Sequence, residues 1–392
     1  MGFSPTMIFS SIACNARRAG REQNHRPKAP VLDVISAYAA PLVFALAFGI
    51  TFFSIPAIIR LSLVKRLYDQ PDARKLHARR ISPLGGIAIF GGMIISFVFC
   101  SAHLTNPALN SVLVALFILF ITGVKDDLYP LVPYKKMLGQ LLAVGVVIGQ
   151  GNVRLESFYG LFDIHLLPYS LSFLLTAFFF LGIINSFNFI DGINGLSSGL
   201  GVLASATYAA WFYYLQEELF LILALAIAGS QLAFLRYNLV NARIFMGDSG
   251  SMILGFLAAL LTIFFLQANE RASEVILRKI DALLFAYAVL IIPVLDTLRV
   301  VLIRIFVLRR SPFQADRNHI HHVLLDIGLK HSQASLTLIG VNLGFVLLTF
   351  FLNPFLRASL LFLLLNLLAL ALSQIPFLIK SRQKKRETSL QS

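Results

Sequence analysis

Eleven apolar runs, most of them close to the length that crosses a lipid bilayer, divide this chain, and no other feature narrows its possible folds as much. A spanning helix needs about 20 predominantly apolar residues. Such runs lie near 34–59, 84–104, 109–124, 137–150, 168–187, 195–215, 219–237, 250–267, 281–303, 334–352 and 355–379, the fourth being short. In hydrocarbon every backbone donor and acceptor must find a partner inside the protein, which leaves helices for runs of this length. The expected fold is therefore all-α, a polytopic integral membrane protein with about eleven transmembrane helices. Composition agrees: 57% of the 392 residues are apolar and only 13% are charged, against about 45–50% and about 25% in soluble domains. That excludes a soluble globular domain, a disordered chain and a disulfide-stapled secreted domain. The two cysteines, Cys14 and Cys100, lack the spacing of a metal site.

The chain carries 33 Lys and Arg against 19 Asp and Glu. Such an excess can signal nucleic acid, whose phosphates bind basic surfaces. In a polytopic protein, however, basic residues gather on cytoplasmic loops beside anionic lipid, and their distribution decides for membrane lipids and no nucleic acid. When the loop holding Arg60, Lys65, Arg66, Arg74, Lys75, Arg79 and Arg80 is put in the cytoplasm and the sides alternate, every other long basic segment falls on that side except the N-terminal tail. Residues 1–33 read as a flexible basic extension, because the apolar stretch Met7–Ala13 is too short and wrongly flanked for a signal sequence. Residues 34–379 read as a single transmembrane catalytic domain and 380–392 as a basic cytoplasmic tail.

Charged residues within spanning helices cost roughly 2.5–3.5 kcal/mol each at mid-helix, so their positions carry information. The third run ends in Lys125-Asp126-Asp127, followed by Lys136 and Gln140. The fifth ends in Asn185, Asn188, Asp191 and Asn194 at three-residue steps, with Gly192 and Gly195 between them. The seventh leads into Phe245-Met246-Gly247-Asp248-Ser249-Gly250-Ser251. The ninth contains Asp296 and Arg299 and leads into Arg317-Asn318-His319-Ile320-His321-His322. Under the alternating topology all these segments open on the cytoplasmic face, where they can form one site.

The residue types suggest its chemistry. Adjacent carboxylates at Asp126 and Asp127 repel unless a cation or a proton offsets them; a plainly solvated helix end is the other reading. With Asp248 they suit a hard ion such as Mg2+, Mn2+ substituting, which is commonly held by one or two carboxylates plus substrate phosphates. Three histidines within four residues raise the question of zinc, but without nearby cysteines and with Arg317 beside them phosphate is the better fit. The polar steps from Asn185 to Asn194 drift along one helical stripe, and the glycines argue for a helix break and a binding loop rather than a water-facing terminus. His77 can add a donor to the same face or be a solvated loop residue. Asp296 beside Arg299 suits packing or support of the site, Trp211 an anchor at the membrane interface, and Gly91 with Gly92 close helix contacts.

In wording and order these segments resemble the polyprenyl-phosphate N-acetylhexosamine-1-phosphate transferases, the MraY/WecA superfamily of bacterial cell-envelope enzymes, from about Lys75 to about Gln333. The resemblance implies transfer of a sugar 1-phosphate from a UDP-sugar to undecaprenyl phosphate, with release of UMP, in the bacterial inner membrane with the site facing the cytoplasm. It implies that Asp126 and Asp127 lie near the metal and the lipid phosphate, with Lys136 and Gln140 as the motif's downstream residues. Asn185 to Leu196 matches the nucleotide-contacting motif, and Asp248 the magnesium-binding aspartate, joined by one of the paired acids, Asp127 or Asp126, while the other accepts a proton from the lipid phosphate. His319, His321, His322 and Arg317 would hold developing charge, and the wording of that loop is similar to the N-acetylglucosamine branch. Asn194 departs from the pattern, standing where a second aspartate is common, which argues against a metal or base role there. The rival reading is an ion-coupled secondary transporter, whose acids would lie near the bilayer midplane on broken helices. A homodimer is compatible with the sequence but not required by it.

Overall fold

The computed structural model describes residues 30–67, 81–158, 166–272, 281–309 and 318–391. The described elements are helices: α1 Pro30–Val64, α2 Gly85–Ser101, α3 Leu109–Leu128, α4 Pro133–Gly149, α5 Tyr169–Ile190, α6 Leu196–Tyr214, α7 Glu218–Asn238, α8 Gly247–Arg271, α9 Ala282–Val289, α10 Ile291–Leu302, α11 Ile320–Asp326, α12 His331–Leu352 and α13 Ala358–Gln391. The chain divides into two units, Met1–Ala39 and Ala40–Ser392. In the first, residues 30–39 are helical; the second carries the motifs.

By length and composition, seven described helices can cross a membrane: Tyr38–Val64 within α1, then α3, α5, α7, α8, α12 and Ala358–Arg386 within α13. The chain is thus an all-α membrane protein. Helices α2 and α4 have 17 residues each, about 26 Å of rise, and α6 has 19. The C-terminal helix continues through the basic segment without a break at residue 380.

The apolar window of α8 is entirely buried, and α2, α3, α5 and α6 pack around it. Small residues set how closely these neighbours approach. A Cβ on Gly255 of α8 would lie 2.7 Å from Ile184 Cα of α5, and one on Gly123 of α3 would collide with Ser249 Cα. The C-terminal end of α3 is thereby held against the first turn of α8, and α5 against its third turn. Gly92 makes a similar contact with Ala47 and Thr51, whereas Gly91 faces open space. Trp211 is no interfacial anchor: it is 8% exposed and packs on Phe265 and Phe285. Two rings from distant helices outweigh the indole's preference for a wet boundary.

The ninth run is not one helix. Pro293 has no N–H for the carbonyl of Val289, so the i to i−4 ladder fails there. Asn342 of α12, 0% exposed, repairs the gap: its Nδ2 donates to the Val289 carbonyl at 3.0 Å and its Oδ1 accepts from the Ile292 N–H at 3.2 Å. Replacing Asn342 with Leu strands both backbone groups in an apolar interior. We expect a loss of about 2–6 kcal/mol, at roughly 1–3 for each buried unsatisfied group, read as a lower melting temperature in detergent.

Candidate active site

The site is built where helix ends meet, and its keystone is the start of α8. Gly247 has φ +74°, in the left-handed region that side-chain-bearing residues avoid. A Cβ there would collide with the Pro83 carbonyl and lie 2.6 Å from Asp127 Oδ1. Glycine therefore lets Asp127, at the end of α3, reach the first amides of α8. Asp127 Oδ1 accepts from the Asp248 N–H at 2.6 Å, and Oδ2 accepts from the Ser249 N–H at 3.1 Å and the Ser249 hydroxyl at 2.6 Å. Those amides have no partner within their own helix, and the positive end of its dipole favours an anion. Asp127 is an N-cap supplied by another helix.

Asp126, one residue earlier, sits about 100° round α3 and does something else. Its Oδ1 accepts from the Leu131 N–H at 2.6 Å, and its Oδ2 pairs with Lys136 Nζ at 3.2 Å. Lys136, in the first turn of α4, also donates to Asp248 Oδ1 and, at 3.3 Å, to Asn188 Oδ1. Asn188, in the last turn of α5, donates to Asp248 Oδ1 and to Ser251 Oγ, the latter at 2.9 Å. Asp248 Oδ2 makes no hydrogen bond among the described residues. One turn deeper, Asn185 donates to Gln140 Oε1 at 3.0 Å, and Gln140 Nε2 faces Met252 Sδ at 3.4 Å.

Asp191 caps the end of α5. Burial pushes its carboxyl well above the ordinary carboxylate range, and the charges of Asp248 and Asp127 push it further. A group whose pKa rises on folding adds stability below its unfolded value, near 3.9, and loses that contribution as pH rises through the folded value. At neutral pH and in chelator, Asp191→Asn should therefore melt about 3 °C above the native protein. The gap should narrow as pH falls and close below about 3.9, where the carboxyl becomes protonated in the unfolded state as well. Equal melting at both pH values would remove this account.

Of the clustered acids Asp126, Asp127, Asp191 and Asp248, two pair with an ammonium among the described residues, Asp126 and Asp248, both with Lys136. The donors are hard oxygens. Among the described residues, Asp248 Oδ2 and one lone pair of Asp127 Oδ1 have no partner, a set that fits a hard divalent cation. A second donor group, Asp296, His319 and His321, has ligand atoms within 4.8 Å of one another, but His319 Nδ1 is already bonded to Asp296 Oδ2 at 2.9 Å.

The histidine segment separates into buried and presented parts. His319 and His321 are 4% and 1% exposed, while His322 is partly exposed. Burial pushes the His321 imidazole down to about 3, against the opposing pull of Asp296, so it is neutral at physiological pH. Its Nε2 lies where a Cβ on Gly192 would be 2.7 Å away, which joins α11 to the turn after α5. Asn194 is buried, with its carbonyl accepting from Ser335 at 2.7 Å. Gly195 follows with φ +77° and donates its N–H to Asn238 Oδ1. The helix break expected at these glycines is present. His77 and Arg317 lie outside the described residues.

Ser249 and Ser251 joined the site unanticipated; only their proximity to Asp248 in sequence hinted at it. The clustered acids lie at helix ends rather than at mid-helix, and the one deeper acid, Asp296, is tied to His319. These features define a helical membrane protein with an acidic, cation-suited site at one end of its bundle.

Comparison with known proteins narrows that class. Residues 109–266 match the model of glycosyl transferase family 4. The chain is 32% identical over 285 residues to a probable undecaprenyl-phosphate N-acetylglucosaminyl 1-phosphate transferase of Bacillus subtilis, covering 72% of this chain and 76% of the relative. It is 30% identical over 332 residues to a decaprenyl-phosphate N-acetylglucosaminephosphotransferase of Mycobacterium leprae, covering 78% and 82%. It is 29% identical over 278 residues to an undecaprenyl-phosphate alpha-N-acetylglucosaminyl 1-phosphate transferase of Escherichia coli O157:H7, covering 68% and 71%. The chain belongs to glycosyl transferase family 4, within the polyprenyl-phosphate N-acetylhexosamine-1-phosphate transferase superfamily.

Proposed function

We propose that the protein transfers N-acetylglucosamine 1-phosphate, or a related N-acetylhexosamine phosphate, from a UDP-sugar to undecaprenyl phosphate, releasing UMP and starting a lipid-linked cell-envelope polysaccharide. The observation that carries this reading is the convergence of Asp126, Asp248 and Asn188 on Lys136, with Asp127 bonded to the Asp248 amide beside them. It does so in a family whose named relatives act on polyprenyl phosphates.

In this reading an oxygen of the lipid phosphate attacks the sugar-linked phosphorus, and the bond from that phosphorus to the oxygen of UMP breaks. Asp248 and Asp127 would hold Mg2+, with Mn2+ able to substitute. When bound, the ion neutralises the diphosphate oxygens and the charge that develops on them. Lys136, which reaches both Asp126 and Asp248, would offer its ammonium to a phosphate oxygen. Asp126 takes the proton of the attacking phosphate when it arrives singly charged, its second pKa lying near 6 by analogy with phosphorylated side chains. Asn185, Asn188, Asp191 and Asn194 line the nucleotide side. His319, His321, His322 and Arg317 would hold the charge that develops on the phosphates, with His77 as a further donor. About eleven crossings of the bacterial inner membrane, with this end of the bundle in the cytoplasm, would let the lipid approach sideways while the nucleotide arrives from water.

The test is direct. Purified protein given UDP-N-acetylglucosamine and undecaprenyl phosphate should release UMP and form the lipid-linked sugar. Chelation should stop the reaction, and Mg2+ or Mn2+ should restore it. Release of UDP instead, or turnover indifferent to chelation, would overturn the reading; ion-driven uptake in proteoliposomes would favour the transporter.

A further inference from the structure

The mechanism makes no use of Asp296, a carboxylate 3% exposed in the broken ninth run. A buried charge of this kind is costly unless it is paired and hydrogen-bonded. Both of its oxygens are spent on one short stretch of chain: Oδ2 bonds His319 Nδ1 at 2.9 Å, and Oδ1 accepts from the Ile320 N–H, the first amide of α11, at 2.9 Å. Three residues along the same helix, Arg299 donates to the Asn318 carbonyl at 2.9 Å and lies over the Phe377 ring at 4.1 Å. Asp296 and Arg299 thus grip three consecutive residues, 318–320, just before the partly exposed His322.

The bonds also choose a tautomer for His319. A carboxylate can only accept, so Nδ1 carries the proton. Nε2 is then an acceptor, and it faces Arg304, a pure donor, at 3.5 Å. Arg304 is buried at 3% and lies 5.8 Å from the Phe189 ring, next to Asn188 in sequence. The His319 ring is 6.0 Å from Phe189, and the His321 and His322 rings are 4.2 Å apart. The histidine segment therefore rests on the far side of the same turn of α5 that offers Asn188 to Asp248.

We infer that Asp296 is a positioning residue: it locks His319 as the Nδ1–H tautomer and starts α11, so that His321 sits against Gly192 and His322, its ring 4.2 Å from that of His321, is held partly exposed. This inference rests on the transferase reading for what His322 faces, but the placement itself can be read without turnover.

The experiment is nitrogen NMR of protein carrying 15N-histidine, assigned with His319→Gln and run alongside steady-state kinetics. His319 of the native protein should show a protonated Nδ1 and an unprotonated Nε2 at neutral pH. Asp296→Asn should mix the two tautomers and lower kcat about 100-fold, the scale of a misplaced acid–base group. The KM for the UDP-sugar should change less than about threefold, because ground-state binding is kept. Should Asp296→Asn fail to fold, the native spectrum still decides: an Nε2–H tautomer at His319 overturns the assignment. So does unchanged kcat in folded Asp296→Asn, or stoichiometric zinc in the native protein that the variant lacks. A native protein without transferase activity would instead overturn the functional reading.

Discussion

Asp248→Asn is expected to lower transfer by at least about 10³-fold, the scale seen when a charge aimed at the reacting centre is removed, while the protein still folds. The amide has nearly the same volume, and α8 starts from Gly247 and the Asp127 cap rather than from the Asp248 side chain. What is lost is charge. Asp248 accepts from Lys136 and Asn188 through Oδ1, while Oδ2 makes no hydrogen bond among the described residues, so the native carboxylate has an oxygen to offer a cation. An amide offers one neutral acceptor and turns two donors towards groups that already donate. UMP release measures the first effect. The rise in melting temperature with Mg2+ measures the second and should vanish in the variant. Retention of more than about a tenth of native turnover would remove Asp248 from the metal site.

The second large effect separates two neighbours of identical chemistry. Asp127→Ala should cost about 2–4 kcal/mol of stability as well as activity, because two main-chain amides and a hydroxyl lose their acceptor at a helix start. Asp127→Asn should fall between, keeping one acceptor of the two. Asp126→Asn should lose transfer with a much smaller change in melting temperature, since a single amide bond from Leu131 and a partly exposed lysine contact depend on it. Melting curves and UMP release on the three variants suffice. Equal destabilisation by Asp126→Asn and Asp127→Asn would contradict the division of labour.

Much of this site could be read along the chain because its chemistry is local. Asp126 and Asp127 stand out since acids at the end of a spanning helix are expensive. The turn from Asp191 to Gly195 stands out since glycine at 195 meets a left-handed φ of +77°. The ninth run was legible as apolar but not as broken. Pro293 gives a warning, yet prolines are tolerated in spanning helices when another group repairs the ladder, and the group that does so, Asn342, is 49 residues away. The role of Asp296 was hidden for the same reason, because its partner His319 lies 23 residues on.

The sequence by itself determined that the chain is helical and lives in lipid, because apolar runs of spanning length leave the backbone few other ways to satisfy its polar groups. It also determined which residues could do chemistry, since side-chain type sets charge and donor capacity. Only the tertiary structure decided the roles: Asp127 as a cap and Asp126 as the partner of Lys136, His321 buried and His322 presented, Trp211 in the core rather than at a boundary. Adjacent residues on a helix point about 100° apart, so their surroundings are set by whichever distant helix packs against each face. No local pattern contains that information.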